Sequence, residues 1–194
     1  MKLAHFLLMP FVEIEVRLGT ISNKFDSSVD KKYFNQIKNS LKTCNWKTTE
    51  TKNTIEHINK NIKHINQGPL LIMKENIVKK DIALTSSPFD IRISINQEFS
   101  LKSYLKSFSK TDCIIRKKDR VSFIDDNFRY DLTVVNETIN NITKEKHEIE
   151  IELLVNKETL QWSNEYLVDF LECKIYDLVN IVEQTQRDKF KLEF

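Results

Sequence analysis

The run His147-Glu148-Ile149-Glu150-Ile151-Glu152-Leu153 alternates acidic and aliphatic residues with period two. That is the period of a β-strand, whose successive side chains point to opposite faces. Residues 147–155 are read as such a strand, with Glu148, Glu150 and Glu152 on one face and Ile149, Ile151 and Leu153 on the other. A solvent face usually mixes Thr, Ser, Lys and Glu, whereas three carboxylates in a row crowd like charges unless something compensates them. Near the other end of the chain, Glu13-Ile14-Glu15-Val16-Arg17-Leu18-Gly19 repeats the pattern, with Val12, Ile14, Val16 and Leu18 behind Glu13 and Glu15. Five carboxylates on two strands call for counter-charge from other strands, and a divalent metal would complete the set.

Several strands between these ends supply that charge. Phe89 to Phe99 alternates Ile91, Ile93 and Ile95 with Arg92, Ser94, Asn96 and Glu98. Residues 112–124 place Arg116, Lys118, Arg120 and Ser122 in phase, and Asp125-Asp126-Asn127 turns the chain into Phe128–Val135, with Arg129, Asp131 and Thr133 on one face. Residues 11–18 are the first strand. Residues 43–66 are polar and ambiguous, with room for one or two strands around Thr48 to Ile58. Gly68-Pro69 signals a turn, Leu70–Met73 and Ile77–Leu84 read as two arms of a hairpin, Ser86-Ser87-Pro88 breaks the chain, and Asn136–Lys146 reads as a polar connection. Helical spacing appears at Tyr33, Phe34, Ile37 and Leu41, with Ser28 or Asp30 as cap. It appears again from Glu158 to Gln186, where Leu160, Tyr166, Leu167, Phe170, Leu171, Ile175, Leu178 and Ile181 form an apolar stripe.

The chain of 194 residues is long enough for one domain with a real core, and its 40% hydrophobic and 30% charged residues are ordinary globular composition. A net charge of +2 excludes a protein held to nucleic acid by bulk positive charge, so any polyanion site must be a local concentration of Lys and Arg. Cys44, Cys113 and Cys173 form no CxxC pair, which suits a reducing compartment and argues against a disulfide framework or a zinc site. Leu3 to Val12 is too short and too interrupted for a membrane span or a signal peptide. His5, His57, His64 and His147 lack metal-ligand spacing.

Seven to nine strands with short turns and two helices predict a mainly β (α+β) fold, a sheet closed into a barrel with flanking helices. If the charged faces line its interior, acids and bases must neutralise one another or bind a charged ligand. A metal–phosphate ligand suits such a wall. Hard divalent cations take carboxylate oxygens, Arg and Lys clamp phosphate oxygens, and a remaining carboxylate orients water.

These segments in this order resemble the metal-dependent RNA triphosphatases of fungi, protozoa and large DNA viruses, which are triphosphate tunnel metalloenzymes. The resemblance rests on Glu13–Gly19, Asp90–Glu98, Arg116–Phe123, Phe128–Thr133 and Glu148–Glu152, and it spans most of the chain. It implies an eight-stranded antiparallel closed tunnel over residues 1–194, as a single catalytic domain standing alone or as the N-terminal domain of a longer capping enzyme. It implies removal of the γ-phosphate from 5′-triphosphate RNA in cap formation, with Mg²⁺ or Mn²⁺ as cofactor. Carried over by motif, Glu13, Glu15 and Glu152 are the metal ligands. Arg92, Lys118 and Arg120 contact the γ-phosphate, and Arg116 and Arg129 support the charge network. Glu98 and Glu150 position water, while Asp131 and Glu148 hold the basic side chains. Lys74, Lys79 and Lys80 lie where the family has further tunnel bases, and Lys80 is preferred.

The implied partners are the RNA 5′-triphosphate end, nucleoside triphosphates and a guanylyltransferase as partner or fused domain, with no membrane. The short chain leans toward the viral–protozoan end of the family. That implies a cytoplasmic viral factory or virion for a viral protein and the nucleus for a cellular one. Two other functions fit the same residues. One is a tunnel-fold enzyme acting on tripolyphosphate, a nucleotide or thiamine triphosphate rather than RNA. The other is a non-catalytic barrel that binds polyanions in a capping complex.

Overall fold

The computed structural model describes residues 2–60, 62–65, 70–85, 87–100 and 113–182. The alternating segments form strands β1 (Val12–Ile21), β2 (Phe25–Asp26), β3 (Thr48–Asn59), β4 (Ile62–Ile65), β5 (Leu70–Ile82), β6 (Asp90–Ser100), β7 (Ile114–Ile124), β8 (Phe128–Ile139) and β9 (Ile142–Leu153). Two helices accompany them, α1 (Lys31–Lys42) and α2 (Asn164–Val182). The strand order is β2-β1-β6-β5-β4-β3-β7-β8-β9, every pairing is antiparallel, and β1 also pairs with β9. That last pairing closes eight strands into a barrel, in which the four-residue β4 pairs only with residues 70–73 of β5 and 56–59 of β3. The short β2 hangs on the end of β1.

Strand alternation then sorts residues by chemistry. Ile14, Val16, Leu18, Ile91, Ile93, Ile95, Ile149 and Ile151 face outward and are fully buried. They are covered by Phe34, Ile37 and Leu41 of α1, by Leu167, Leu171, Ile175 and Leu178 of α2, and by Leu3 and Leu7 of an N-terminal 3-10 turn at Leu3–Leu8. The hydrophobic core therefore lies outside the barrel wall, and the charged faces line the inside. Asp30 caps α1, accepting a hydrogen bond from the Lys32 backbone N–H at 2.7 Å. Trp46 closes one side of the core against Phe123, Phe128 and Tyr130, while its Nε1–H donates to the Leu41 carbonyl at 2.6 Å.

Three expectations from the sequence need correction, and the region left open after residue 43 is resolved. Leu70–Met73 and Ile77–Leu84 are not two arms of a hairpin but one strand, β5, interrupted between Asn76 and Val78 by a bulge that shifts its register against β6. The polar stretch 136–146 is the far half of a long hairpin, in which β8 and β9 turn through Asn140 and Asn141 with φ of 50° and 63°. Asn tolerates that left-handed backbone, which suits a two-residue hairpin turn. The ambiguous region after residue 43 holds two strands, β3 and β4. Finally, α2 starts at Asn164, leaving Leu160 in a 3-10 turn (Thr159–Gln161), and both Leu160 and Tyr166 are exposed rather than part of the buried stripe. The expected Gly68-Pro69 turn, Ser86 of the break, residue 112 and the end of the last helix beyond Val182 lie outside the described residues.

The barrel has two mouths. One is at the Val12 end of β1, where β3, β5 and β8 also begin. The other is at the Ile21 end, where β6, β7 and β9 begin.

Candidate active site inside the barrel

Pairing across strands decides which side chains meet. On β1, Glu15 stands opposite Ser94 of β6 and Glu152 of β9, and Arg17 opposite Arg92 and Glu150. On β7, Arg116, Lys118 and Arg120 stand opposite Glu56, Thr54 and Lys52 of β3 on one side, and opposite Glu137, Val135 and Thr133 of β8 on the other. The result is a cavity of two adjoining lobes, about 320 Å³ and about 210 Å³, which share Glu15, Arg17, Glu56, Lys63, Lys74 and Lys118 in their walls.

Each buried acid is met by a base. Glu150 lies 3.0 Å from Arg17 and 3.2 Å from Arg120. Asp131, fully buried, accepts from Arg120 at 2.6 Å, Arg129 at 3.1 Å and the Ser122 hydroxyl at 2.5 Å. Glu148 accepts from Arg116 at 2.5 Å and from the Ser27 hydroxyl at 3.0 Å. Glu152 accepts from Arg129 at 2.6 Å. Lys118 sits 2.9 Å from Glu56, and Lys63 2.8 Å from Glu98. Lys74 bonds Glu13 and reaches Glu15 at 3.4 Å. At the Ile21 mouth Arg92 donates two hydrogen bonds to Asp81, at 2.6 and 2.9 Å, and its guanidinium covers the Phe25 ring at 4.5 Å.

The charges are held unevenly. Burial alone would raise the Glu150 carboxyl, but Arg17, Arg120 and Lys118 outweigh it and keep the group far below the usual carboxylate range. Burial works against the Arg17 cation as well, yet Glu150 and Glu15 hold it above its ordinary value. Lys74 is pushed up to about 12 because Glu15 and Glu13 overcome its burial. The opposite happens at the junction of β1 and β9. Glu13 is raised by burial and by Glu15, and Glu152 is pushed up to about 8 by burial first, then by Glu13, Asp131 and Glu150. Here negative charge is in excess even with Arg129 and Lys74 in place.

That excess bears on the metal. Among the described residues no three His, Cys, Asp or Glu side chains converge closely enough to hold an ion. The donor chemistry nevertheless suits a hard divalent cation, since Glu13, Glu15 and Glu152 offer only carboxylate oxygens on adjoining strands, and burial with neighbouring carboxylates raises Glu13 and Glu152.

Of the residues singled out from sequence, Glu13, Glu15, Arg92, Glu98, Arg116, Lys118, Arg120, Arg129, Asp131, Glu148, Glu150 and Glu152 share the inward phase of the barrel. Lys80 does not. It pairs with Ile93, in the outward phase, while Lys79, opposite Ser94, lines the cavity with Lys74. The bulge after Asn76 causes this, because one extra residue inverts the alternation that follows. Sequence alone gives no role to Glu56 and Lys63, which lie in the polar region it does not divide, whereas Arg17, in phase with Glu13 and Glu15, belongs to the basic set that it places on the polar faces. No helix among the described residues is long and apolar enough to cross a membrane.

Comparison with known proteins gives the same architecture. The Pct1 RNA triphosphatase of S. pombe superposes with a TM-score of 0.68 at 20% identity, covering 93% of this chain and 86% of that one. Pct1 has also been solved in complex with the Spt5 CTD, and in that form the TM-score is 0.65. The RNA triphosphatase domain of the trifunctional mimivirus mRNA capping enzyme superposes with a TM-score of 0.62 at 20% identity, covering 92% of this chain and 94% of that one. No curated protein matches by sequence. The model of the family described as mRNA capping enzyme, beta chain, matches residues 48–166, more than half of the chain. The chain belongs to this family, that of the mRNA triphosphatases, and its closed barrel is the triphosphate tunnel fold.

Proposed function

We propose that this protein hydrolyses the β–γ anhydride of 5′-triphosphate RNA inside its barrel, leaving a diphosphate end ready for capping. The observation that carries the reading is the half-buried row of bases Arg116, Lys118 and Arg120 facing Glu148, Glu150 and Glu152 across β8, inside the closed barrel. Water attacks the γ-phosphorus in line as the bond to the β-phosphate oxygen breaks. Lys118 and Arg120, with Arg92, Arg116 and Arg129, take the phosphate oxygens and stabilise charge on the transferring group. In the free protein those cations rest on Glu56, Asp81, Asp131, Glu148 and Glu150, so the substrate enters a prearranged field rather than assembling one.

Glu150 is suited to orient the water. It stays ionised, and its Oε1 is buried with no aligned hydrogen-bond donor among the described residues. Glu98, in the same cavity, is the second candidate. Asp131 and Glu148 hold Arg120, Arg129 and Arg116 in place. Glu13, Glu15 and Glu152 would hold Mg²⁺ or Mn²⁺, which when bound supplies Lewis-acid neutralisation of the triphosphate oxygens. A guanylyltransferase, as partner or fused domain, would consume the diphosphate end.

Competition tests the substrate. In magnesium, triphosphate-ended RNA should suppress ATP hydrolysis competitively and be cleaved in preference to it. ATP turnover untouched by such RNA would shift the assignment to a nucleotide or tripolyphosphate hydrolase.

A further inference from the structure

The cavity is electrically lopsided. Beyond the residues the two lobes share, the lobe at the Val12 mouth adds Glu13, Glu98 and Glu150 against Lys52, Arg120 and Arg129. The lobe at the Ile21 mouth adds Lys60, Lys79, Arg92 and Arg116 and no carboxylate. The acids near that rim are already engaged, Asp81 with Arg92 and Glu137 with Arg116 and Lys146. Among the described residues no carboxylate lies within ion-pair distance of Lys60 or Lys79, and both side chains are exposed. Lys60 stands in the β3–β4 turn with a left-handed φ of 55°, a backbone that non-glycine residues rarely adopt.

If the γ-phosphate lies among Lys118, Arg120 and the carboxylates of the Val12 half, the rest of the substrate is a polyanion that must leave in one direction. The half that adds cations without acids is the one that accepts it. Lys79 stands past Lys74 on β5 by roughly 10 Å along the axis, allowing for the tilt of barrel strands. That places it beyond the α-phosphate and level with the first phosphodiesters. Resting on the triphosphatase reading above, we infer that RNA enters through the Ile21 mouth and that Lys60 and Lys79 bind the phosphodiester groups that follow the triphosphate. They form a subsite that free nucleotides and tripolyphosphate do not fill.

The test is steady-state phosphate release from tripolyphosphate, ATP and a triphosphate-ended oligoribonucleotide across a salt series, using the whole chain. For Lys60→Ala, KM for the RNA rises severalfold and the slope of log KM against log salt falls by about 0.7, the value for one single-strand phosphate contact. Its kcat/KM for tripolyphosphate stays within about twofold, as for an ordinary surface substitution. Adding Lys79→Ala removes a similar further increment of slope. A melting curve checks that each variant is folded. Equal losses on RNA and tripolyphosphate would overturn the inference by showing that Lys60 serves the triphosphate itself. An unchanged RNA slope in Lys60→Ala, with a reduced one in Lys52→Ala, would place the entry at the opposite mouth. A wild-type protein that cleaves tripolyphosphate but not RNA would overturn the RNA reading, and this subsite with it.

Discussion

Glu13 and Glu152 differ from every other carboxylate in the barrel wall for which burial and neighbours resolve a shift of known cause. Both are raised, whereas Glu150 and Glu56 are lowered. Glu13→Gln or Glu152→Gln should cut phosphate release by about 10² or more, the scale of losing a principal electrostatic contact to the transition state. The circular dichroism spectrum should stay that of the wild type, and near-normal turnover in either folded variant would remove that residue from the metal site. Glu56 gives a separate prediction. Burial opposes its ionisation, but Lys118, Lys63 and Arg116 outweigh burial and depress its pKa. A depressed folded-state pKa adds stability that is fully present above the ordinary value near 4.5 and is lost as pH falls through the folded value. Glu56→Gln should therefore lower Tm at neutral pH, with a loss of about 1–3 kcal/mol of stability, because it leaves the partly buried Lys118 without its partner. It should also flatten the acid side of the Tm-against-pH curve. A variant with the same acid limb as the wild type would contradict the pairing.

At the scale of elements, the β1–β2 connection depends on Gly19. A Cβ there would stand 2.1 Å from the Asp26 carbonyl oxygen and 2.6 Å from the Phe25 ring. Gly19→Ala must push β2 off β1, at a cost of about 1–3 kcal/mol, typical of overpacking. It also disturbs the Phe25 ring beneath Arg92. Thermal melts should show a Tm several degrees lower, and an unchanged Tm would mean that β2 moves freely. The strands with one polar and one largely aliphatic face (β1, β6 and the Glu148–Leu153 part of β9) are legible because the alternation is clean, and β7 is legible from Arg116, Lys118 and Arg120 in phase. β3 was not, because Thr48 to Asn53 are polar on both faces and exposed, so Glu56 looked like one more surface residue. β5 misled for a different reason. Its bulge changes phase in the middle of a strand, and nothing in Asn76-Ile77-Val78 announces the change, so Lys80 was chosen where Lys79 lines the cavity. The long β8–β9 hairpin read as a loop because Asn136–Lys146 carries little apolar residue to mark a buried face.

The molecule as a whole places its hydrophobic core outside the barrel and its charges inside, which inverts the usual relation between a small barrel and its filling. Helices α1 and α2 and the N-terminal 3-10 turn bury the aliphatic faces. The interior is free to be a dense network of ion pairs whose worth lies in prearrangement, since buried ion pairs add little net stability. A cation that relieves the Glu13–Glu15–Glu152 repulsion should stabilise the whole fold. Manganese at about 100-fold over its dissociation constant adds about 2.7 kcal/mol, or roughly 5–10 °C in Tm for a chain of this size. Glu152→Ala should lose most of that shift. The most direct measurement of the central claim is product analysis after incubating the protein with RNA whose 5′-triphosphate is labelled in the γ- or the α-phosphate, with manganese or magnesium and with chelator. The structure predicts one inorganic phosphate released per RNA end, a diphosphate-ended RNA retained, and no release in chelator. Pyrophosphate as the product, or tight triphosphate binding with no phosphate released in either metal, would contradict it.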